Sequence, residues 1–353
     1  MGNEISGART VLGCKIAPTF GTAIACTTGD KMEVLALTHG ENAEELQTSP
    51  IGSGDLGPSD ARRGATSPTI SLEKNLHFAG PEMAIHRQFF GTENVSSAGA
   101  GSAFTHSFIF NEYQNASWLT TAFELASATG AVAEYQSGTV TKLGLNAENP
   151  PNYTKMSADI LSNALITTGQ VNAITSLDAI TMETTQRVIF QPSDEFLLNA
   201  QATGALTSPT DRINVTSVQF EITKDQSHVR EAKGSTGNGQ PVLSGTPPLN
   251  WMLTVNIARN ADMTWFTAMQ AGTEYKGQLT ITGPQISGAV FYKYVLMLPR
   301  LKLVADVKYD LSSAAINPIT LVFKGLVASA APTGMLDVYP SVIVTNLRPN
   351  WQN

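Results

Sequence analysis

The sequence predicts a mainly β protein in which two related β-rich domains follow one another along the chain. Three observations lead to this fold class. Charged residues are few, apolar and polar residues alternate with a period of two, and an order of elements recurs at an offset of 181 residues. Hydrophobic residues make up 42% of the 353-residue chain, which is enough apolar material for a sizeable core. The 29 glycines and 18 prolines favour short strands joined by turns over long helices.

The repeat joins two segments, 64–93 and 245–274. Each contains a loop, an alternating strand, a short helical stretch and a final Gly-Thr-Glu sequence. A repeated supersecondary unit changes the predicted fold, and so long a period indicates two related domains. Chance similarity is the alternative, because a strand followed by a helix and a glycine is common. We place the domain boundary within 161–176 and divide the chain into domains 1–168 and 169–353.

Alternation of apolar and polar residues predicts the strands. In 301–311 the odd positions are apolar and the even ones are mostly charged, a pattern typical of a strand with one buried and one solvated face. The other strands predicted in this way are 70–76, 139–145, 218–223, 319–324 and 342–345.

One short flanking helix is predicted in each domain, at 81–90 and 262–270. Gly91 and Gly272 suit the residue just past each helix end, where the backbone often turns left-handed. The segment 116–125 fits a helix or a strand equally well. Three stretches rich in Gly, Ser, Thr, Asn and Pro are predicted as long loops, which in compact domains are usually functional or disordered: 41–68, 95–104 and 224–248.

Little in the sequence indicates catalytic or cofactor chemistry. The segment 52–57 reads Gly-Ser-Gly-Asp-Leu-Gly, but this dinucleotide-binding pattern needs a preceding strand and a following helix, and here it lies in a polar loop. The five histidines lack zinc-ligand spacing, and no nucleophile elbow or P-loop is present. We predict no catalytic, cofactor-binding or metal-binding residue, no cofactor and no enzyme activity. Because paired catalytic carboxylates come from distant segments, a glycosidase stays open.

Charge and cysteine content limit the partners. The net charge is −7 and the 22 Lys and Arg residues form no basic run, whereas a protein that grips nucleic acid needs clustered cations. Cys14 and Cys26 are too few for a disulfide framework. The stretch 1–12 lacks the basic and apolar parts of a secretion signal, and no run approaches the roughly 20 apolar residues of a membrane helix. We therefore expect no membrane partner.

Residues 9–23, Arg-Thr-Val-Leu-Gly-Cys-Lys-Ile-Ala-Pro-Thr-Phe-Gly-Thr-Ala, resemble the opening strand of siphophage major tail tube proteins, which often runs into an aromatic-Gly-Thr turn. The stretches 42–49 and 62–64 then precede the strand 70–76, an order similar to that of tail tube proteins with two tandem domains. Strands are expected after each helix at 134–145 and 277–281. The segment 328–340 has no obvious counterpart in the first half.

The resemblance implies a structural protein of a virion tail. In that family each domain is a small β-sandwich with a flanking helix, and four-stranded sheets of neighbouring domains join into one continuous β-barrel around a lumen. Rings stack into a hollow tube that conducts DNA, and a chain with two fused domains would build a pseudo-hexameric ring from three copies. The partners implied are further copies of this chain, tape measure and tail terminator proteins, and DNA that passes without specific binding. Long loops would contact the next ring, and assembly would occur in the host cytoplasm.

Two alternatives stay open. One is another structural component of a phage tail or baseplate, and the other is a carbohydrate-binding or carbohydrate-cleaving β-protein. Carbohydrate sites usually need exposed aromatic residues, and here the four tryptophans are scattered. For a DNA channel we expect a net acidic or neutral wall with paired lysines and arginines, because a cationic wall would bind DNA along its length. The sequence does not decide on which face the alternating Lys302, Asp306, Lys308 and Asp310 lie.

Overall fold

The structure, a computed structural model, describes residues 11–48, 60–99, 102–111, 117–125, 131–181, 186–229, 238–257, 263–304 and 319–349. For 44–48, 60–65 and Leu125 it describes the backbone only. Strands account for 54% and helices for 8% of the structure, so the predicted mainly β class is confirmed. Among the described residues, seventeen strands belong to one large antiparallel sheet, and two more form a separate hairpin.

The strands of the first half of the chain are β1 (Leu12–Ala17), β2 (Lys31–Met32), β3 (Ala36–Thr48), β4 (Asp60–Asn75), β5 (Gly91–Ser97), β6 (Phe104–Phe110), β7 (Trp118–Leu125), β8 (Ala131–Glu148), β9 (Lys155–Leu161) and β10 (Ala164–Ile166). Those of the second half are β11 (Glu195–Ala200), β12 (Ser217–Lys224), β13 (Gln226–His228), β14 (Pro241–Leu243), β15 (Leu249–Ile257), β16 (Glu274–Ser287), β17 (Val290–Leu303), β18 (Ile319–Gly325) and β19 (Ser341–Asn346). The helices are α1 (Glu82–Phe90), α2 (Ile174–Ala179) and α3 (Thr264–Ala271).

Eight strands follow one another edge to edge in the order β3–β4–β9–β8–β12–β15–β18–β17. Successive side chains of a strand point to opposite faces, and here one face is apolar and the other polar. In β12, for example, Val218, Phe220 and Ile222 are buried, whereas Gln219 and Glu221 are exposed. We call these strands the eight-strand run.

A second layer is formed by the runs β1–β7–β8–β10 and β11–β16–β17–β19. The hairpin of β5 and β6 extends the latter run, because β6 pairs with β19. The long strands β8 and β17 belong to both layers. β8, for example, pairs with β7 as far as Gly138 and with β9 from Thr139. One core cluster of buried apolar residues draws on both layers.

The same order of pairing occurs in both halves. The run β1–β7–β8–β10 of the first half corresponds to the run β11–β16–β17–β19 of the second. In the eight-strand run, β3–β4–β9–β8 corresponds in the same way to β12–β15–β18–β17. Leu72 and Leu253 both lie in the strand before a helix, as the 181-residue repeat predicts. The β8–β12 and β6–β19 pairs each join a strand before residue 168 to a strand after it. The division into domains 1–168 and 169–353 stays a prediction.

The strands predicted from alternation lie within β8, β12, β18 and β19, and the predicted strand 70–76 lies in β4 up to its end at Asn75. Of the predicted strand 301–311, residues 301–303 belong to β17, and 305–311 lie outside the described residues. The ambiguous segment 116–125 forms the strand β7 over Trp118–Leu125. Its residues 118–123 are all buried, and a strand buried on both faces shows no alternation.

Both predicted helices are present, as α1 and α3. Gly91 and Gly272 follow them with φ of 84° and 64°, which confirms the predicted left-handed helix ends. α1 begins one residue later than predicted, because Pro81 occupies the N-cap position. The short helix α2 was not predicted. It buries only Leu177, so its amphipathic signal is weak.

Of the predicted long loops, 41–68 was wrong where the structure describes it, because most of it belongs to the long hairpin of β3 and β4. Of 95–104, only 95–97 and Phe104 belong to the strands β5 and β6, and 224–248 contains the short hairpin of β13 and β14. Backbone hydrogen bonds hold such hairpins together even when the side chains are polar, which composition alone does not reveal. Residues 49–59, 100–101 and 230–237, and with them the glycine pattern at 52–57, lie outside the described residues.

Candidate functional site

The polar side of the eight-strand run forms one continuous surface, which we call the polar face. A single row of cross-strand neighbours spans it from one end of the run to the other: Ala36, Glu73, Ser157, Gly144, Glu221, Met252, Lys324 and Lys302. The register therefore places Lys302, which the sequence could not assign to a face, on the polar face. Asp306, Lys308 and Asp310 lie outside the described residues.

Two of the four lysines of the polar face, Lys142 and Lys155, form ion pairs with carboxylates of neighbouring strands, whereas Lys302 and Lys324 are cross-strand neighbours of each other. The Nζ of Lys142 lies 2.7 Å from Oε2 of Glu221, and the Nζ of Lys155 lies 2.9 Å from Oε1 of Glu73. All four side chains are partly exposed, so each pair contributes little stability. Their main effect is to neutralise charge within the surface.

Four acidic residues and four lysines lie in the described part of this face, and Arg300 lies two positions before Lys302 on β17. The acidic residues are Glu73, Glu148, Asp159 and Glu221, and the lysines are Lys142, Lys155, Lys302 and Lys324. A concavity of ≈ 400 Å³ lies over the middle of the face, lined by Lys155, Asn146, Gln219, Met252 and neighbouring residues. The polar face therefore has a depression over its middle strands and carries charges of both signs.

The first strand of the run, β3, presents an open edge. It pairs with β4 on one side, and no other strand of the described residues pairs with it. The strand in the matching position of the second half, β12, pairs with β15 on one side and β8 on the other. A long strand with one unpaired edge offers backbone donors and acceptors to another chain.

On the apolar side of the run, α1 is held by a buried ion pair. The Nζ of Lys74 lies 2.6 Å from Oε2 of Glu82, and both side chains are at most 1% exposed. Burial alone would raise the pKa of Glu82, but the charge of Lys74 and a hydrogen bond from His77 lower this pKa to about 2. The pair is closed to solvent and joins α1 to β4.

His86 connects α1 with the second half of the chain. Its Nδ1 donates to the backbone oxygen of Glu82 at 2.9 Å, so its Nε2, 3.0 Å from the hydroxyl oxygen of Tyr294, accepts from that hydroxyl. Burial lowers the pKa of His86 and raises the pKa of Tyr294. Both groups are therefore neutral near pH 7 and form a structural contact between α1 and β17.

The cysteines and histidines noted in the sequence do not come together as a reactive site. Cys14 and Cys26 are free and buried, and burial raises the pKa of both thiols, that of Cys14 to about 12. Within the described ranges no three His, Cys, Asp or Glu side chains are grouped as a metal site would require, and no helix is long and apolar enough to cross a membrane.

The tryptophans do not form an aromatic platform in the described part of the chain. Trp118 and Trp251 are 2% and 3% exposed. Trp265 packs against Tyr275 and Phe323, with ring centroids 5.9 and 6.5 Å away. These side chains pack against core residues, whereas stacking on a sugar ring would require their ring faces at the surface.

The polar face was not predicted as a set, because its ion pairs join residues far apart in sequence. Alternation within each strand was the available signal, but it does not give the order of strands. Comparisons with known proteins add no further assignment: no family model matches the chain and no curated protein matches it.

Proposed function

We propose that this chain is a structural subunit of the siphophage major tail tube type, which self-assembles into stacked rings that form the hollow tube through which DNA is ejected. The observation that carries the proposal is the eight-strand run, with ion pairs and a depression on its polar face and an edge at β3 that no other strand of the described residues pairs with. In this proposal the protein is not an enzyme and uses no cofactor.

The open edge supports assembly with further copies. Unpaired strand edges are a liability in a monomer, and closure of a sheet into a barrel removes them. Within the chain, β8 and β12 already join four strands of the first half to four of the second. Repetition of such a joint between chains would continue the sheet around a ring.

The dimensions suit a ring of three copies. Three runs of eight strands give about 24 strands, and at a spacing of about 4.8 Å they form a circle of about 37 Å between opposite backbones before strand tilt is included. Side chains narrow this opening, and tilt widens it. A pseudo-hexameric ring of three chains therefore encloses a channel of the width that a duplex requires.

The ion pairs of the polar face suit the lining of that channel. DNA carries about one negative charge per 1.7 Å of helix axis, and a wall with unpaired cations would hold it along the whole tube. Here Lys142 and Lys155 lie beside Glu221 and Glu73. DNA would thus pass through the lumen without specific binding.

In this proposal the chain is located in the virion tail after assembly in the host cytoplasm. Its partners are further copies of itself, the tape measure protein inside the tube and the tail terminator at the tube's end. Another tail or baseplate component would share the self-assembly but not the extended tube. No observation on the described residues favours a carbohydrate-binding protein.

Electron microscopy and native mass spectrometry of the purified full-length chain test the proposal. We expect stacked rings or tubes, with three chains in each released ring. Isolated rings that never stack would instead favour another tail or baseplate component. A protein that stays a single chain at high concentration, or binds glycans in that state, would overturn the proposal.

A further inference from the structure

The two helices related by the 181-residue repeat differ in how far they are covered. All nine residues of α1 are buried, whereas in α3 only Ala268 is buried. Met263, at the start of α3, is 55% exposed. The two helices occupy equivalent positions in the repeat, so the difference lies in what covers each of them.

The cover of α1 includes strands of the second half. Lys224 of β12 donates from Nζ to the backbone oxygen of Phe89 at 3.2 Å, and its ammonium lies 5.0 Å from the centre of the Phe89 ring. Tyr294 of β17 bonds to His86. The pairing of β8 with β12 brings these strands to α1.

In the part of the chain that the structure describes, the corresponding side of α3 is an open groove of ≈ 470 Å³, lined by Met263, Thr264, Thr267, Ala268, Ala271 and Thr273. Thr267 stands in the repeat position of His86, and Ala271 in that of Phe90. Small side chains and methyl groups thus replace the large residues of α1. They leave space that apolar side chains of another segment can fill.

A matching open surface lies on β3. In the first half Leu37 pairs with Leu72, and in the second half Phe220 pairs with Leu253. Since Leu72 and Leu253 are repeat partners, Leu37 takes the place of Phe220. By the same register His39 takes the place of Ile222 and Glu41 that of Lys224.

The positions on β12 are more buried than the matching positions on β3, just as α1 is more buried than α3. Phe220 and Ile222 are 4% and 0% exposed, whereas Leu37 is half-buried and His39 is exposed. We call the side of β3 that carries Leu37, His39 and Glu41 the inner side of β3.

The inner side of β3 keeps contacts within the chain, since the His39 ring centre lies 4.5 Å from that of Phe123 and His39 Nδ1 lies 3.0 Å from the hydroxyl oxygen of Tyr135. It is nevertheless less covered than the matching positions of β12, as α3 is less covered than α1.

We propose that the α3 groove of one copy receives the inner side of β3 of a second copy, as α1 receives β12 within the chain. This inference rests on the proposed function and names the surfaces that form the joint between neighbouring subunits. The contact is heterologous, because a groove on one copy meets a strand on the next, and such contacts can repeat around a closed ring.

One copy cannot supply both partners to itself. β3 is the first strand of the eight-strand run, whereas α3 packs at the opposite end, where Trp265 contacts Phe323 of β18 and Gly272 lies beside Lys302 of β17. The second copy that fills the groove also brings the unpaired edge of β3. The two open features of the chain are thus used in one joint.

Arginine substitutions in the groove test the joint. Ala271→Arg and Thr267→Arg place a long charged side chain in a groove whose lining residues are mostly exposed, so the fold should persist, as thermal unfolding will show. We expect both variants to sediment as single chains. Val171→Arg is the control, because Val171 is a 52% exposed apolar residue outside both surfaces, and it should assemble as the unmodified chain does. Groove variants that assemble normally would overturn the joint.

A mixing experiment tests the direction of the contact. Ala271→Arg blocks the groove but leaves β3 intact, and His39→Asp blocks the inner side of β3 but leaves the groove intact. Each variant alone should remain a single chain, and an equimolar mixture should form dimers that do not grow. A mixture that stays entirely as single chains would overturn the pairing of these surfaces.

The outcomes separate this inference from the proposed function. Tubes formed equally by the unmodified chain and by Ala271→Arg would refute the joint and leave the tail tube proposal standing. Dimers in the mixture, from a chain that never forms rings or tubes, would refute the tail tube proposal and leave the joint standing.

Discussion

The ammonium nitrogen of Lys224 lies 3.2 Å from the backbone carbonyl oxygen of Phe89. Phe89 belongs to the last turn of α1, where carbonyl groups lack partners within the helix and carry partial negative charge. Lys224 therefore satisfies one of these carbonyls and joins β12 to α1. The lysine is 4% exposed, and burial lowers its pKa to about 7.

The contribution of Lys224 to stability should depend on pH. Between about pH 7 and its ordinary pKa of about 10.4, the unfolded chain binds the proton more tightly, so the free energy of unfolding rises with pH. Lys224→Met abolishes this effect. We expect the free energy of unfolding of the wild type, minus that of the variant, to rise by up to about 1.4 kcal/mol per pH unit across this window. Urea denaturation at pH 7, 8 and 9 measures it, and a difference that does not change with pH would contradict the prediction.

Removing only one partner of the buried pair Lys74–Glu82 should strongly lower the free energy of unfolding. Glu82→Gln leaves the ammonium of Lys74 buried without its counter-charge, and we expect a loss of about 3–5 kcal/mol in the free energy of unfolding. The double variant Lys74→Met, Glu82→Leu should lose far less, because apolar residues of similar volume often replace a buried pair at little cost. Chemical denaturation of the single and double variants decides this, and equal losses would refute the argument.

The same pair should contribute to acid unfolding. The folded-state pKa of Glu82, about 2, lies below its ordinary value of 4.5, so its contribution is present above pH 4.5 and is lost as the pH falls towards 2. We expect the double variant Lys74→Met, Glu82→Leu to lose less stability than wild type between pH 4.5 and 2. Circular dichroism during acid titration follows the transition. A variant that unfolds over the same pH range with the same loss would count against the prediction.

The two helix-ending glycines offer a matched comparison. Both have φ in the left-handed region, where a Cβ atom costs about 1–2 kcal/mol. A Cβ on Gly91 would also lie 3.2 Å from the Cβ and backbone oxygen of Asn111, whereas at Gly272 the nearest atom is the flexible Nζ of Lys302 at 3.4 Å. Gly91→Ala should therefore destabilise the protein more than Gly272→Ala. Thermal and urea denaturation compare the two, and equal or reversed losses would contradict the packing argument.

The ion pairs of the polar face should control DNA binding by assembled protein. Glu73→Gln with Glu221→Gln removes the partners of Lys155 and Lys142 and makes the face cationic. We expect duplex DNA to bind these assemblies and to be released as salt rises from about 50 to 200 mM, whereas wild-type assemblies bind little at either concentration. Fluorescence anisotropy measures the binding.

The control for this experiment removes the same charge elsewhere. Glu33→Gln with Glu195→Gln disrupts ion pairs with Arg187 and Arg212, which lie outside the polar face. This variant should behave as wild type. Equal DNA binding by both double variants would show that net charge, and not the polar face, sets the affinity.

Several elements could be predicted because their physical causes are local. The alternation of Val218, Phe220 and Ile222 with polar residues specifies a strand with one buried face. Gly91 and Gly272 mark helix ends, because a residue without Cβ is favoured where the backbone turns left-handed. The repeat of these signals at 181 residues correctly predicted a strand followed by a helix in both halves.

Other features depend on segments that are far apart in sequence. The segment 116–125 could not be assigned, because β7 is a strand through its pairing with β1 and β8. The polar stretch 41–68 gave no sign that β3 and β4 form a long hairpin. Glu221 is next to Lys142 only because β12 pairs with β8, and no pattern within either strand selects that partner.

The sequence by itself determined the mainly β class, several strands, two helices and the absence of a basic cluster. The tertiary structure decided the order of the strands, the ion pairs of the polar face, and the difference between the covered α1 and the open α3. The reason is that backbone preference and face alternation act over a few neighbouring residues. The partner of a strand edge or a helix face is instead chosen among distant segments by packing and register.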